Sequence, residues 1–179
     1  MAHVILGLLL IAPMSLYDLI KGFEAGVSLF YSASSGSIKR ALDGLLERRL
    51  IQVASVEPGT RGRKVYRVTD EGRREFHDWM VSQPIAGHLE TAALSRLYYL
   101  GLLDADDRAT VLQNITRRAE EDLAQLRALA GWIEGMEVPL EQRDLAHYQR
   151  ATLDFGIASH QFAINWFRQK LAEGSPTVR

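Results

Sequence analysis

The sequence predicts a mainly α protein in two parts: a small helical unit closed by a β-hairpin, then a pair of long helices that need a partner. Three observations predict it. Apolar residues of the first half recur at helical spacing, then give way to two short β-rich runs around a Pro- and Gly-containing turn. A break follows near Pro84. Beyond it, apolar residues return at three- and four-residue steps over two long stretches.

Val4 to Ile11 is an apolar run ended by Pro13. No Lys or Arg precedes it, and it falls far below the ~20 apolar residues of a membrane span, so a buried first helix is expected rather than a secretion signal. Ser15 can cap a second helix whose Leu16, Leu19, Ile20 and Phe23 pack inward, with Gly26 beyond its end. Ser34 and Ser35 are candidate caps of a third. There Ile38, Leu42, Leu45, Leu46 and Leu50 form one buried stripe, which leaves Ser35, Ser37, Lys39, Arg40, Asp43 and Arg48 facing out.

Ile51, Val53 and Val56 give the first strand and Val65, Tyr66, Val68 and Thr69 the second, with Pro58-Gly59-Thr60-Arg61-Gly62 as the turn. A helix followed by a cationic hairpin is the order of a winged helix-turn-helix. The expected fold class is therefore mainly α, with an N-terminal winged helix-turn-helix carrying a two-stranded wing and a C-terminal helical dimerisation domain. The domains are expected at 1–82 and 83–179, joined through Ser82-Gln83-Pro84-Ile85-Ala86-Gly87.

Charge points to the partner. From Ser34 to Arg67 the cations Lys39, Arg40, Arg48, Arg49, Arg61, Arg63, Lys64 and Arg67 face only Asp43, Glu47 and Glu57, while the whole chain has a formal charge of −1. Concentrated positive charge on a protruding helix and hairpin suits a phosphate backbone, because neutralising phosphates releases counterions. Lys39 and Arg40, with Ser35 and Ser37, are the candidate reading residues; Arg61, Arg63 and Lys64 are the candidate backbone or minor-groove contacts of the wing. For the serines, capping the helix is the competing role. Arg48 and Arg49 balance the helix dipole at its far end.

The C-terminal half is net acidic, with Lys170 and nine Arg against thirteen Asp and Glu from Gln83 onward, and is a poor phosphate surface. Leu112, Ile115, Ala119, Leu126, Leu129 and Ile133, with Leu123 and Ala130 beside them, mark one helix, which Asp104, Asp106 or Asp107 begins. A second, from about Glu141 to Leu171, carries Tyr148, Phe155 and Phe162 at seven-residue intervals. Such a ladder wants a partner helix, so a twofold homodimer is expected, with an inverted-repeat operator whose half-sites lie about 34–36 Å apart.

The runs ILGLLLIAPMSLYDLIKGFE, SGSIKRALDGLLERRLI and GRKVYRVTDEGRREFHDWM resemble the PadR family of bacterial transcriptional regulators, most densely from Val4 to Met80. The later text is similar to the longer subgroup, whose C-terminal part resembles that of virulence activators. The resemblance implies a cytoplasmic, double-stranded-DNA-binding regulator, more often a repressor than an activator. Smaller relatives bind flat aromatic compounds between tryptophans, which makes Trp79, Trp132, Tyr148, Phe155 and Trp166 candidate contacts for a small effector; ordinary core packing is the competing role. The chain departs from the family pattern in having Lys39 where a tyrosine is usual, and Leu16 and Arg49 where glycine is usual.

An enzyme finds little support. There is no Cys, which removes thiol catalysis and Cys-based zinc sites. The five His are scattered without metalloprotease spacing, and Gly59 to Lys64 lacks the spacing of a phosphate-binding loop. No catalytic residue, metal site or cofactor is expected. The alternative reading is a helix-turn-helix adaptor that binds protein and leaves its basic face unused.

Overall fold

Ala2–Ile11 forms α1, and Val4 to Leu9 are buried without interruption, as expected of a helix apolar on every side. The structure, a computed structural model, describes residues 1–57, 62–84 and 89–174. After Pro13 a two-residue strand, β1 (Met14–Ser15), leads into α2 (Leu16–Ala25). Ser15 Oγ accepts the Asp18 N–H while Asp18 accepts the Ser15 N–H, a reciprocal cap that fixes where α2 starts. Leu19 and Phe23 are buried beneath it.

α3 (Ser35–Glu47) follows a short 3-10 turn and buries Ile38, Leu42 and Leu45. Strands β2 (Ile51–Glu57) and β3 (Arg63–Val68) then pair antiparallel, with a register irregularity between Val53 and Ser55. The sheet has three strands in the order β1-β3-β2, since Met14 and Ser15 pair with Tyr66 and Val65. The expected two-stranded wing thus gains an inner strand. Two residues carry no periodicity, so nothing in the text marks β1.

The joint between α3 and β2 is a left-handed helix end. Leu50 N–H reaches back to the Leu45 carbonyl at 3.0 Å, and Arg49 sits at φ 57°. That conformation favours glycine, because an L side chain crowds the following carbonyl. Arg49→Gly is accordingly expected to raise stability to urea by up to about 1 kcal/mol. An unchanged or lower unfolding midpoint would show the arginine side chain to be worth more than the strain.

α4 (Asp70–Val81) begins on Thr69, whose hydroxyl accepts the Gly72 N–H at 3.1 Å and donates to the Arg49 carbonyl at 2.8 Å. At Gly72 the helix backbone lies directly against Leu50; a Cβ there would collide with the Leu50 carbonyl oxygen.

The chain divides into two compact units, Met1–Ser82 with Glu90–Leu103, and Gln83–Leu89 with Asp104–Arg179. The boundary expected after residue 82 is therefore crossed by most of α5 (Leu89–Tyr98) and the 3-10 turn that follows it, which pack into the first unit. The fully buried Tyr99 ring lies where a side chain on Gly7 would stand, and its hydroxyl donates to the Val4 carbonyl at 2.9 Å. Arg96 is 4% exposed and lies 4.6 Å over the Trp79 ring. It donates to the Trp79 carbonyl at 3.1 Å and to Ser82 Oγ at 3.4 Å, so its charge meets the negative end of α4. Burial pulls the guanidinium down to about 10.

In the second unit, α6 (Ala105–Glu134) starts on Asp104, whose carboxylate accepts the Asp107 N–H at 3.0 Å. After a 3-10 turn, α7 (Arg143–Glu173) returns antiparallel, as the pairs Glu120 with Arg168, Arg127 with Gln161 and Glu134 with Arg150 show. Ala119, Leu123 and Ile164 form the centre of this hairpin. Leu123 and Ala130, which the sequence places beside the apolar stripe, are buried, whereas Leu129 on the stripe is 43% exposed.

Candidate nucleic-acid interface

The proposed reading helix is fixed at its N-terminus by Ser34. Ser34 Oγ accepts the Ser37 N–H at 3.2 Å, and Ser37 Oγ donates to the Ser34 carbonyl at 2.7 Å. Ser34 is the cap, Ser37 is half-buried against it, and Ser35 is exposed in the first turn. Lys39 and Arg40 are exposed on the side away from Ile38, Leu42 and Leu45. Lys39 Nζ lies 2.9 Å from Asp43 Oδ2 one turn on, and that bond holds the ammonium pKa above its ordinary value.

The wing residues fall into three situations. Arg61 lies outside the described residues. Lys64 is exposed on β3. Arg63 is held: its Nη2 donates to both carboxylate oxygens of Asp18, at 2.7 and 2.6 Å. Asp18 is the N3 partner of Ser15 in the capping box of α2, and the Ser15 N–H and hydroxyl, with Arg63 behind them, keep its carboxyl below the usual range. The ion pair thus ties the turn end of β3 to the start of α2. At the far end of α3, Arg48 donates to Glu75 at 3.1 Å, the same carboxylate that meets His3 at 3.2 Å, so Arg48 is bound into the fold.

Among the described residues Lys39, Arg48 and Arg63 thus have carboxylate partners, and two of those acids, Asp18 and Glu75, lie outside the stretch from Ser34 to Arg67. Among the described residues Arg40 and Lys64 are exposed and form no ion pair. Sequence spacing points to the Lys39 and Asp43 pair, four apart on a helix. It can mark Asp18 only as a cap, and Glu75 not at all.

The five aromatic candidates do not share one unit. Trp79 belongs to the first, with His3 stacked 4.9 Å away and Arg96 over its ring. Trp132, Tyr148, Phe155 and Trp166 belong to the second; Trp166 packs edge-on against Phe167, and the other three are 65 to 75% exposed. A cavity of about 640 Å³ in the first unit, lined by residues such as Ile11, Gln52, Arg67 and Arg73, includes none of the five. Among the described residues no group of three or more His, Cys, Asp or Glu is arranged to hold a metal, and no helix is long and apolar enough to cross a membrane.

A capped, outward-facing helix beside a three-stranded wing is joined here by a match along the chain. The family described as transcriptional regulator PadR-like matches residues 5–78, and the C-terminal domain described as virulence activator alpha matches residues 92–173. The chain carries a PadR-like transcriptional-regulator domain followed by a virulence-activator alpha C-terminal domain. It is 24% identical over 174 residues to the negative transcriptional regulator PadR of Bacillus subtilis, covering 95% of this chain and 94% of that protein. A probable transcriptional regulator of Mycobacterium tuberculosis is 26% identical over 174 residues, covering 92% of each.

Among solved structures, Bacillus subtilis PadR in complex with operator DNA is similar at 24% identity and a TM-score of 0.45, over 96% of this chain and 97% of that one. A PadR-like regulator of Bacillus cereus is similar at 29% identity and a TM-score of 0.42, over 96% and 94%. The virulence-activator match begins at residue 92, within α5, although most of that helix belongs to the first unit in this chain.

Proposed function

We propose that this PadR-like regulator is a cytoplasmic homodimer that binds an inverted-repeat operator in double-stranded DNA and represses transcription. The observation that carries DNA binding is the exposure of Lys39 and Arg40 on α3, off its buried stripe, together with that of Lys64 on the wing. The dimer is supported by the aromatic ladder: Tyr148, Phe155 and Phe162 are 71, 75 and 69% exposed in the single chain. Repression needs only occlusion of a promoter, and the Bacillus subtilis relative is a negative regulator.

Fluorescence anisotropy with duplex DNA from the protein's own upstream region tests the proposal. Affinity should fall steeply with salt, with a log–log slope near −0.9 for each phosphate neutralised. Changing Arg61, Arg63 and Lys64 together to Ala should weaken all sequences alike and flatten that slope by about one for each phosphate left without its cation. A wild type whose binding ignores salt would favour the adaptor reading instead.

Relief by a small aromatic effector belongs to the same proposal, with Trp79, Trp132, Tyr148, Phe155 and Trp166 as its candidate contacts. Bacillus subtilis PadR has a crystal structure with p-coumaric acid. Adding that acid to the anisotropy titration gives the direct check, and an unchanged affinity removes this compound from consideration.

A further inference from the structure

We propose that Lys39 and Asp43 work as one reading device that selects a G·C base pair in each half-site, an inference that rests on DNA binding by α3 as proposed above. Their side chains are 63 and 50% exposed and joined at 2.9 Å, one turn apart on the helix. Tyr66 of β3 lies within electrostatic range of both charges, which places the pair on the flank of α3 next to the sheet. An exposed pair of this kind stabilises the fold little, so exchanging it for a base edge costs little.

Asp43 is the informative member. A carboxylate on a helix that enters the major groove is repelled by phosphates and by every acceptor on the base edges. It gains only where a base donates, and the donors there are cytosine N4 and adenine N6. Joined to Lys39, it presents a donor group beside an acceptor group. A G·C pair offers the complement, with guanine N7 and O6 accepting from the ammonium and cytosine N4 donating to the carboxylate. An A·T pair offers one purine acceptor fewer and sets the thymine methyl against the charged pair. Asp43 therefore discriminates mainly by what it refuses, while Lys39 supplies the attraction. Arg40, exposed beside them, is left for the backbone.

Selection from a randomised duplex pool, with the full-length wild type and with Asp43→Asn, tests this. The wild type should enrich G·C at one position of each half-site, and exchanging that pair for A·T should weaken binding about tenfold. Asp43→Asn should move the preference toward A·T, because an amide suits adenine N6 and N7, and Lys39→Ala should flatten it. Asp43 is exposed, so these variants should fold as the wild type does. Enrichment of A·T by the wild type, or an unchanged G·C preference in Asp43→Asn, overturns the pair as a reader. If the wild type enriches nothing, sequence-specific reading by α3 is overturned, whereas loss of DNA binding itself shows in the salt titration above, so the two failures are distinct.

Discussion

Gly72→Ala should cost about 3 kcal/mol of folding stability, at the upper end for forcing extra atoms into a packed site. For a chain of this length that lowers the thermal midpoint by roughly 6 to 12 °C. The added methyl would collide with the Leu50 carbonyl oxygen and crowd Val68 Cγ1 at 2.8 Å. Neither neighbour can move freely. The Leu50 carbonyl accepts the Thr69 N–H at 3.0 Å, and Leu50 follows the left-handed Arg49. Relief would lift the first turn of α4 from the α3–β2 joint and strip the Thr69 cap. Gly44→Ala is the control, since a Cβ there meets nothing within 4 Å; mid-helix, it should gain up to about 1 kcal/mol. Equal melting of the two variants would show that α4 does not need its close approach to Leu50.

Replacing Tyr148, Phe155 and Phe162 together with Ser should convert the proposed dimer to a monomer in sedimentation equilibrium. Operator affinity should drop at least about a hundredfold, since each half-site is then bound alone. These side chains stand outside the α6–α7 hairpin, whose centre is Ala119, Leu123 and Ile164. Helical content should therefore stay at the wild-type value, which separates a failure to associate from a failure to fold. A monomeric wild type, or a triple variant that remains dimeric, would remove the ladder from the interface.

Much of the first unit is legible in the sequence because its elements carry their own periodicity. α3 shows its stripe in Ile38, Leu42 and Leu45, and Ser15 and Asp104 each stand at the helix start they cap, whereas Thr69, expected in the second strand, caps α4 instead. What is illegible depends on distant partners. Arg63 reads as a free wing cation until Asp18, 45 residues earlier, is brought to it. Arg48 likewise finds Glu75, 27 residues later. Such pairs reduce the positive excess that a local count of charges suggests. α5 is hidden for another reason: Ser95 and Arg96 are polar yet buried, so its inward face looks like surface when hydrophobicity alone is read.

Tyr99 and Arg96 also say where the first unit could be cut. A fragment ending at residue 82 would have a hollow beside Gly7, a bared Trp79 ring and uncapped carbonyls at the last turn of α4. Those are the marks of a sticky, half-melted stub. A fragment that runs on to Leu103 keeps those contacts, so deletion series and reporter fusions should be drawn there.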